Sequence, residues 1–329
     1  MSHLVHHQST TPTPGIDPEL IRDNRAASKA DETKRALLKN WSLFESWCDA
    51  QGVSALPATA DVVEAFLLYL ADHHSSQKRN SSATTKGLKT ASVCQALWAV
   101  NARHRMAGFP PPGDTIQVKT ALAGIKRRKG SRKKQQEPLT IEHIRRIRFP
   151  STLKGKRDKA ILLLGFAGCF RRSELVALKA EDVRNSAMGI RIFLERSKTD
   201  QEGEGSWVHI NAAVQFTEFC PVIALREWLD AAGINRGVIF RSLTKGKTPR
   251  IGEKLSAVSV DATVKWAARE CGLDPKNYGG HSLRAGSATF LSERGKTPTL
   301  IAKHGRWKSL DMVLTYWRGE TARELHGVY

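Results

Sequence analysis

Apolar residues recur at helical spacing through most of this chain. Leu37, Trp41, Phe44 and Cys48 fall on one face, so the spacing predicts a helix over Asp31 to Gln51, with Asp31 as N-cap and Gly52 as its stop. A second helix is predicted from Thr59 to about His73, turning Val62, Val63, Phe66, Leu67 and Leu70 inward. The Ser- and Lys-rich stretch Ser75 to Thr85 reads as a loop. A third helix follows to Ala107, with Val93, Leu97, Val100 and His104 on its stripe and Gly108 at its end. Beyond the rigid turn Phe109-Pro110-Pro111-Pro112-Gly113, Asp114 with Gln117 makes a capping-box-like start for a fourth helix reaching Ile125. Four helices on short connections predict an all-helical N-terminal domain over residues 31–125.

The pattern changes after Pro138. Thr140 can cap a helix over Ile141 to Arg148, and further helices are predicted over Arg157–Phe170, Ser173–Leu178 and Val222–Ala232. Gly189 to Leu194 alternates with the period of a strand, and Ser206 to Ile210 can pair back on it through the turn Glu202-Gly203-Glu204-Gly205. The rest, from about Ser256, reads as helices. The expected fold is therefore mainly α, with a mostly helical second domain (137–329) that carries a small antiparallel β-sheet. Residues 1–30, rich in Ser, Thr, Pro and His and without periodicity, read as a flexible tail. No repeat of 20–50 residues is present.

Charge narrows the function. The 329 residues carry 52 Lys and Arg against 32 Asp and Glu, a net charge of +20. Such a surface attracts polyanions and binds them in a salt-sensitive way, which makes nucleic acid the expected partner. Between the domains, Lys126 to Lys134 holds seven basic residues in nine. This block reads as a linker (126–136) suited to tracking a phosphate backbone, with Lys126, Arg127, Arg128, Lys129, Arg132, Lys133 and Lys134 as DNA contacts. A pure spacer and a nuclear-localisation signal are the alternatives. The longest apolar run, Ile161 to Phe170, is about half a membrane span, so it predicts a buried core helix. No secretory signal or lipidation motif is visible, and a cytoplasmic protein without membrane association is expected. Five scattered cysteines, odd in number and without a C-x-x-C pair, read as reduced core thiols; no metal site and no cofactor are expected.

The candidate chemistry lies in the second domain. His281 and Arg284 stand three apart, on one helical face, and Tyr316 follows 32 residues after Arg284. Upstream are Arg171-Arg172-Ser173-Glu174 and the hairpin segment Arg196-Ser197-Lys198-Thr199. An arginine directly after ten apolar residues is costly to bury unless it is paired or used. Taken singly, each of these residues has a plainer reading: a helical ion pair, a surface lysine, a helix-end histidine, a packing tyrosine. Together they form an anion pocket with a hydroxyl nucleophile, which points to a phosphodiester.

Arg171-x-x-Glu174, Lys198 in a β-hairpin, His281-x-x-Arg284, Trp307 and Tyr316, in this order, resemble the tyrosine site-specific recombinases of the integrase family. Gly305-Arg306-Trp307 and Tyr316-Trp317-Arg318 look most like the Cre-type phage and plasmid recombinases, and the resemblance covers about residues 31–320. It selects Arg171 over Arg172 through the pattern R-x-x-E-L. It also favours Tyr316 over Tyr69, Tyr278 and Tyr329, and Trp307 over His304.

The resemblance implies a C-shaped clamp on duplex DNA and a reaction without ATP or metal. Tyr316 would attack the scissile phosphate and form a 3′-phosphotyrosine. Arg171 and Arg284 would clamp the non-bridging oxygens, and Lys198 would protonate the leaving 5′-oxygen. His281 and Trp307 would hydrogen-bond the phosphate, and Glu174 would orient its neighbours. A homo-tetramer on DNA with inverted repeats, working through a Holliday junction, is implied; the free protein is expected to be a monomer or weak oligomer. Lys86, Lys89, Arg103, Arg105 and Arg241 join the basic block as expected DNA contacts. The stretch after Tyr316 is short for the helix exchange of Cre-like proteins, so a shortened exchange element is an alternative. The rival functions are a topoisomerase IB-like or telomere-resolving enzyme, and a decayed recombinase kept as an architectural DNA-binding protein.

Overall fold

The four predicted helical stripes of the first half close on one another. The computed structural model describes residues 31–77, 84–131, 135–195, 204–246 and 248–316, and the chain divides into two units, Met1–Lys133 and Lys134–Tyr329. In the first, helices α1 (Asp31–Gln51), α2 (Ala60–Asp72), α3 (Thr90–Met106) and α4 (Ile116–Lys129) enclose one core. That core contains Phe44, Phe66, Leu67, Leu70, Val93, Val100, Val118 and Ile125. His104, on the α3 stripe, is fully buried. Its Nε2 accepts from the Ala58 N–H at 2.9 Å, so Nδ1 carries the proton and donates to the Val100 carbonyl at 2.8 Å.

Three details of the first unit depart from the sequence pattern. The stretch Ser75–Thr85 is not a plain loop: β1 (Ser75–Gln77) and β2 (Thr84–Lys86) pair antiparallel, so the unit is helical but for one hairpin. Thr115, not Asp114, caps α4, its hydroxyl accepting from the Val118 N–H at 3.3 Å, while Gln117 donates to Asp61 and Glu64 at 2.6 Å each. Helix α4 also runs past Ile125 to Lys129, so Lys126–Lys129 is helix rather than linker. Arg128 pairs with Asp72 at 2.8 Å and the Lys129 ammonium donates to the Ala71 carbonyl. Four cations in the last turn also suit the negative end of the helix dipole.

The second unit holds α5 (Ile141–Arg145), α6 (Leu153–Ala167), α7 (Arg172–Leu175), α8 (Pro221–Ala232), α9 (Ala257–Glu270), α10 (Gly280–Glu293), α11 (Pro298–Gly305) and α12 (Leu310–Leu314). Strands β3 (Val183–Ser186), β4 (Gly189–Leu194) and β5 (Ser206–Asn211) form an antiparallel sheet in the order β3-β4-β5, and β6 (Arg241–Leu243) pairs with β7 (Ile251–Lys254). The β4–β5 pairing sets Ile190 opposite Ile210 and Leu194 opposite Ser206. Strands β3, β6 and β7 are too short to show an alternation in sequence. Helix α6 packs against α8 and α10, which is why Ala160 to Phe166 are buried without interruption. It begins at Leu153, earlier than the apolar run suggests, because the Thr152 hydroxyl accepts from the Gly155 N–H at 3.1 Å. It ends at Ala167, and Cys169 at φ 49° turns Phe170 back into the core. No helix among the described residues is long and apolar enough to cross a membrane.

Helix α10 is strapped along its first turns by residues 136–139. The His281 N–H donates to Gln136 Oε1 at 3.0 Å, and the Leu139 N–H donates to the Ser282 carbonyl at 2.9 Å. One turn on, Gly286 lets the strap approach: a Cβ there would stand 2.0 Å from the Leu139 carbonyl oxygen. A Gly286→Ala change must push helix and strap apart, and by the usual cost of overpacking should destabilise the protein by about 1–3 kcal/mol. Urea denaturation checks it.

Candidate active site

Helix α6 stops at a left-handed turn, and the next residues carry the first half of the predicted site. The Arg171 N–H donates to Glu174 Oε2 at 2.9 Å, so the carboxylate closes the first turn of the short helix α7. The Arg171 guanidinium then donates to Glu174 Oε1 at 2.5 Å through Nη1 and to the Arg306 carbonyl at 3.1 Å through Nη2. The Glu174 side chain is only 3% exposed. A third group reaches it from the far side: Arg306 Nη2 donates to Glu174 Oε2 at 3.0 Å. Burial alone would push this carboxyl up. The Arg306 charge, then the hydrogen bonds and charge of Arg171, outweigh it and hold the carboxyl below its ordinary value of 4.5.

Helix α10 supplies the second half. Arg284 is 3% exposed. It donates to the Cys169 carbonyl at 2.5 Å and the Gly305 carbonyl at 2.7 Å, and its guanidinium carbon lies 4.4 Å from the centre of the Trp307 ring. The Trp307 ring in turn stands 6.0 Å from the Tyr316 ring, inclined by 40°. A small core of Ala288, Ile301, Ala302 and Val313 backs both rings. Gly305 is required here, because a Cβ would overlap the Trp307 ring at 1.8 Å.

His281 opens to solvent on one side at the start of α10. Its partial burial, then the charges of Arg284, Arg172 and Arg171, lower its pKa from the ordinary 6.5, so the imidazole is neutral at neutral pH. Tyr316 is shifted the other way. Burial raises its phenol above the usual 10, against a smaller downward pull from Arg284, so it rests protonated.

The electrostatic result is lopsided. Arg171, Arg284 and Arg306 surround one buried carboxylate, leaving excess positive charge where water is scarce. Arg171 and Arg284 each spend two of five N–H groups on the donations described, so each retains donors for a ligand. An anion with several oxygens suits such a place.

The structure therefore brings Arg171, Glu174, His281, Arg284, Trp307 and Tyr316 into one neighbourhood. Lys198 lies outside the described residues. Arg172 is taken up by Asp261 of α9, beside the start of α10. Tyr278 is buried in the main core, and Tyr69 belongs to the first unit, against Trp47 and His74. His304 is half-buried, and that burial followed by the Arg306 charge lowers its pKa.

The expected DNA contacts are spread over several elements. Lys89 precedes α3, and the Thr90 hydroxyl donates to the Gly130 carbonyl at 2.6 Å, which sets Lys89 beside the basic last turn of α4. Arg103 and Arg105 stand at the other end of α3, the first 5.1 Å over the Trp41 ring, the second paired with Asp114 at 3.1 Å. Arg241 lies on β6, its guanidinium donating to the Val238 and Arg236 carbonyls at 3.1 and 2.8 Å. Lys86 is on β2, and Arg132, Lys133 and Lys134 lie outside the described residues.

Sequence reasoning missed three contributors. Gln136 and Asp261 hold the start of α10, accepting from the His281 and Gly280 N–H groups at 3.0 and 2.5 Å. Arg306 stood inside a quoted motif without a role. Nothing in the local sequence separates it from the other basic residues. Among the described residues no group of three or more His, Cys, Asp or Glu is placed to hold a metal.

Comparison with known proteins gives the family and the fold. Residues 118–323, more than half of the chain, match the model of the phage integrase family. The chain is 37% identical over 295 residues to an integrase/recombinase xerD homolog of Selenomonas ruminantium, covering 88% of this chain and 82% of that protein. It is 22% identical over 320 residues to the recombinase cre of Escherichia phage P1, covering 91% and 87%. Among solved structures it shares its fold with the Tn1549 transposon integrase in complex with transposon right end DNA, at a TM-score of 0.58 and 14% identity over 93% of this chain and 98% of that one. XerH recombinase bound to palindromic difH substrate gives a TM-score of 0.56 at 16% identity, over 83% and 72%.

The depressed carboxyl of Glu174 has a signature in stability. Its folded pKa lies below 4.5, so its contribution is complete above that pH and is lost as pH falls through the folded value. The stability difference between the native chain and Glu174→Gln should be constant above 4.5 and shrink below it. Urea denaturation across acidic pH measures it.

Proposed function

Because this chain belongs to the phage integrase family, we propose that Tyr316 is its strand-cutting nucleophile and the arginine cluster around Glu174 its phosphate seat. The protein is a site-specific tyrosine recombinase, an enzyme that breaks and rejoins DNA. The observation that carries the residue assignment is the run of contacts from Arg284 to Trp307 to Tyr316, which puts the phenol within reach of the buried Arg284 charge.

In this reading the scissile phosphate enters the cluster and takes the spare N–H groups of Arg171 and Arg284. The charge that burial makes costly for Arg284 is then balanced by the anion. Tyr316 Oη attacks phosphorus as the neutral His281 imidazole takes the phenolic proton. A bond from phosphorus to the tyrosine oxygen forms, and the bond to the 5′-oxygen breaks. Lys198 protonates the departing oxygen, and a 3′-phosphotyrosine results. One phosphodiester replaces another, so the reverse attack by a 5′-hydroxyl needs no energy source. The pKa directions of His281 and Tyr316 support this pairing: a base that is uncharged at neutral pH beside a phenol that holds its proton until it reacts.

Duplex DNA with inverted repeats is the proposed substrate, exchanged through a Holliday junction in a homo-tetramer, in the cytoplasm. Lys89 with Lys126–Lys129 forms the basic surface that best suits the phosphate backbone. The exposed apolar side chains Leu310, Met312 and Leu314 of α12, just before Tyr316, support docking between protomers at the nucleophile-bearing segment.

Nicked duplexes bearing the inverted repeats around the gene, which trap a covalent intermediate, test the assignment. The native protein and Tyr278→Phe should yield a protein–DNA adduct on a denaturing gel, and Tyr316→Phe should yield none. An adduct that persists in Tyr316→Phe overturns the choice of nucleophile. Recombinant joints from intact substrates, as opposed to relaxation alone, test the proposed outcome.

A further inference from the structure

Two residues other than glycine hold a left-handed backbone among the described residues: Cys169 at φ 49° and Arg306 at φ 56°. They face each other across the candidate site, with Arg306 Nη2 donating to the Cys169 carbonyl at 3.0 Å. Conformations of this kind persist where the surroundings over-determine them, and they cluster at functional sites. Position 306 ends helix α11 in a conformation that glycine adopts without steric cost. An arginine there is explained by what its side chain does.

That side chain ties three segments together. Nη1 donates to the Gly168 and His304 carbonyls at 3.2 and 3.1 Å, and Nη2 donates to Cys169 and to Glu174 Oε2. Its guanidinium carbon lies 5.4 Å from the centre of the Phe170 ring. The Arg306 carbonyl meanwhile accepts from Arg171. One residue therefore grips the turn before Arg171, the carboxylate that orients Arg171, and the turn that presents Trp307.

We propose that Arg306 is a positioning residue of the recombination site, acting through Glu174 to hold Arg171 and through its own turn to hold Trp307 against Arg284. It touches no DNA in this role. The inference rests on the assignment of the phosphate seat made above. The guanidinium fork serves four acceptors at once, which an ammonium with three N–H groups on one nitrogen cannot. The Arg306 charge is also the largest single influence that holds the Glu174 carboxyl ionised against its burial. The other titratable or charged groups facing Glu174 are Arg171, Arg284 and the buried, protonated Cys169 thiol, with Asp182 and Glu195 across a small cavity that Glu174 helps to line. Removing Arg306 raises the carboxyl toward protonation, and a protonated Glu174 holds Arg171 less firmly.

Arg306→Gly is the informative variant, because glycine keeps the left-handed turn while deleting the guanidinium. Its cleavage of nicked substrate at saturating DNA should fall about 10- to 100-fold, the range for partners that orient a reacting group from behind, with DNA affinity nearly unchanged. The acid limb of its rate should move to higher pH, and so should the acid loss of stability seen by urea denaturation. Arg306→Lys should recover part of the rate. In a Glu174→Gln background, removing Arg306 should cost much less than it does in the native chain.

Native-like cleavage and pH profiles in Arg306→Gly would overturn the proposal, as would effects fully additive with Glu174→Gln. If Arg306→Gly fails to fold, Arg306→Lys decides: a native rate and acid limb there would reject the fork as a requirement. The stability profile needs no catalysis, so it judges the Arg306–Glu174 link even if the native chain forms no adduct, an outcome that rejects the phosphate seat instead.

Discussion

The site depends on one buried carboxylate. Glu174 is surrounded by guanidiniums that would repel one another without it, and its two oxygens are shared by Arg171 and Arg306. Deleting a paired charge in such a place leaves the partners buried and uncompensated, which is worse than never having buried the pair. The single negative charge does not neutralise the cluster, and that shortfall is the functional point. The fold holds positive charge in a poorly hydrated place, and in the proposed reading a phosphate supplies the balance.

Backbone carbonyls do the rest of the holding. Arg284 is fixed by the carbonyls of Cys169 and Gly305, and Arg171 by that of Arg306. These acceptors exist because helices α6 and α11 both end at turns whose carbonyls are left without partners in the helix. The ends of two helices thus serve as the receptor for two arginines. The guanidiniums are oriented before any substrate arrives, which is what electrostatic stabilisation of a transition state requires.

Tyr316 is positioned differently. It has no buried ion pair of its own, and it stands on a small satellite core with Trp307, Ile301 and Val313. Packing of that size stabilises weakly. The proposed nucleophile therefore sits on the least anchored part of the site, while Arg171 and Arg284 are held on the main core through α6 and α10.

Much of this was legible from residues alone. The stripes of α1, α2 and α3 name the first core almost completely, and the β4–β5 pairing follows from a six-residue alternation. Those patterns are local, repeating over three to four residues or two, so a short window contains them. Arg171, Glu174, His281, Arg284, Trp307 and Tyr316 were legible through their types and order. Helix ends were less so: Thr152 starts α6 before its apolar run, and Arg128 and Lys129 carry α4 onward by reaching Asp72 and Ala71. Those residues lie 56 and 58 positions away, beyond any local pattern. The same limit explains Arg306. Its partner Glu174 is 132 residues distant, and in a chain with 52 basic side chains only the closed fold decides which guanidinium meets a buried carboxylate. The sequence by itself determined which elements form, which faces they bury and which chemistry is present. Tertiary structure alone decided how the charges are shared, because burial and ion pairing are set by groups that meet only after folding.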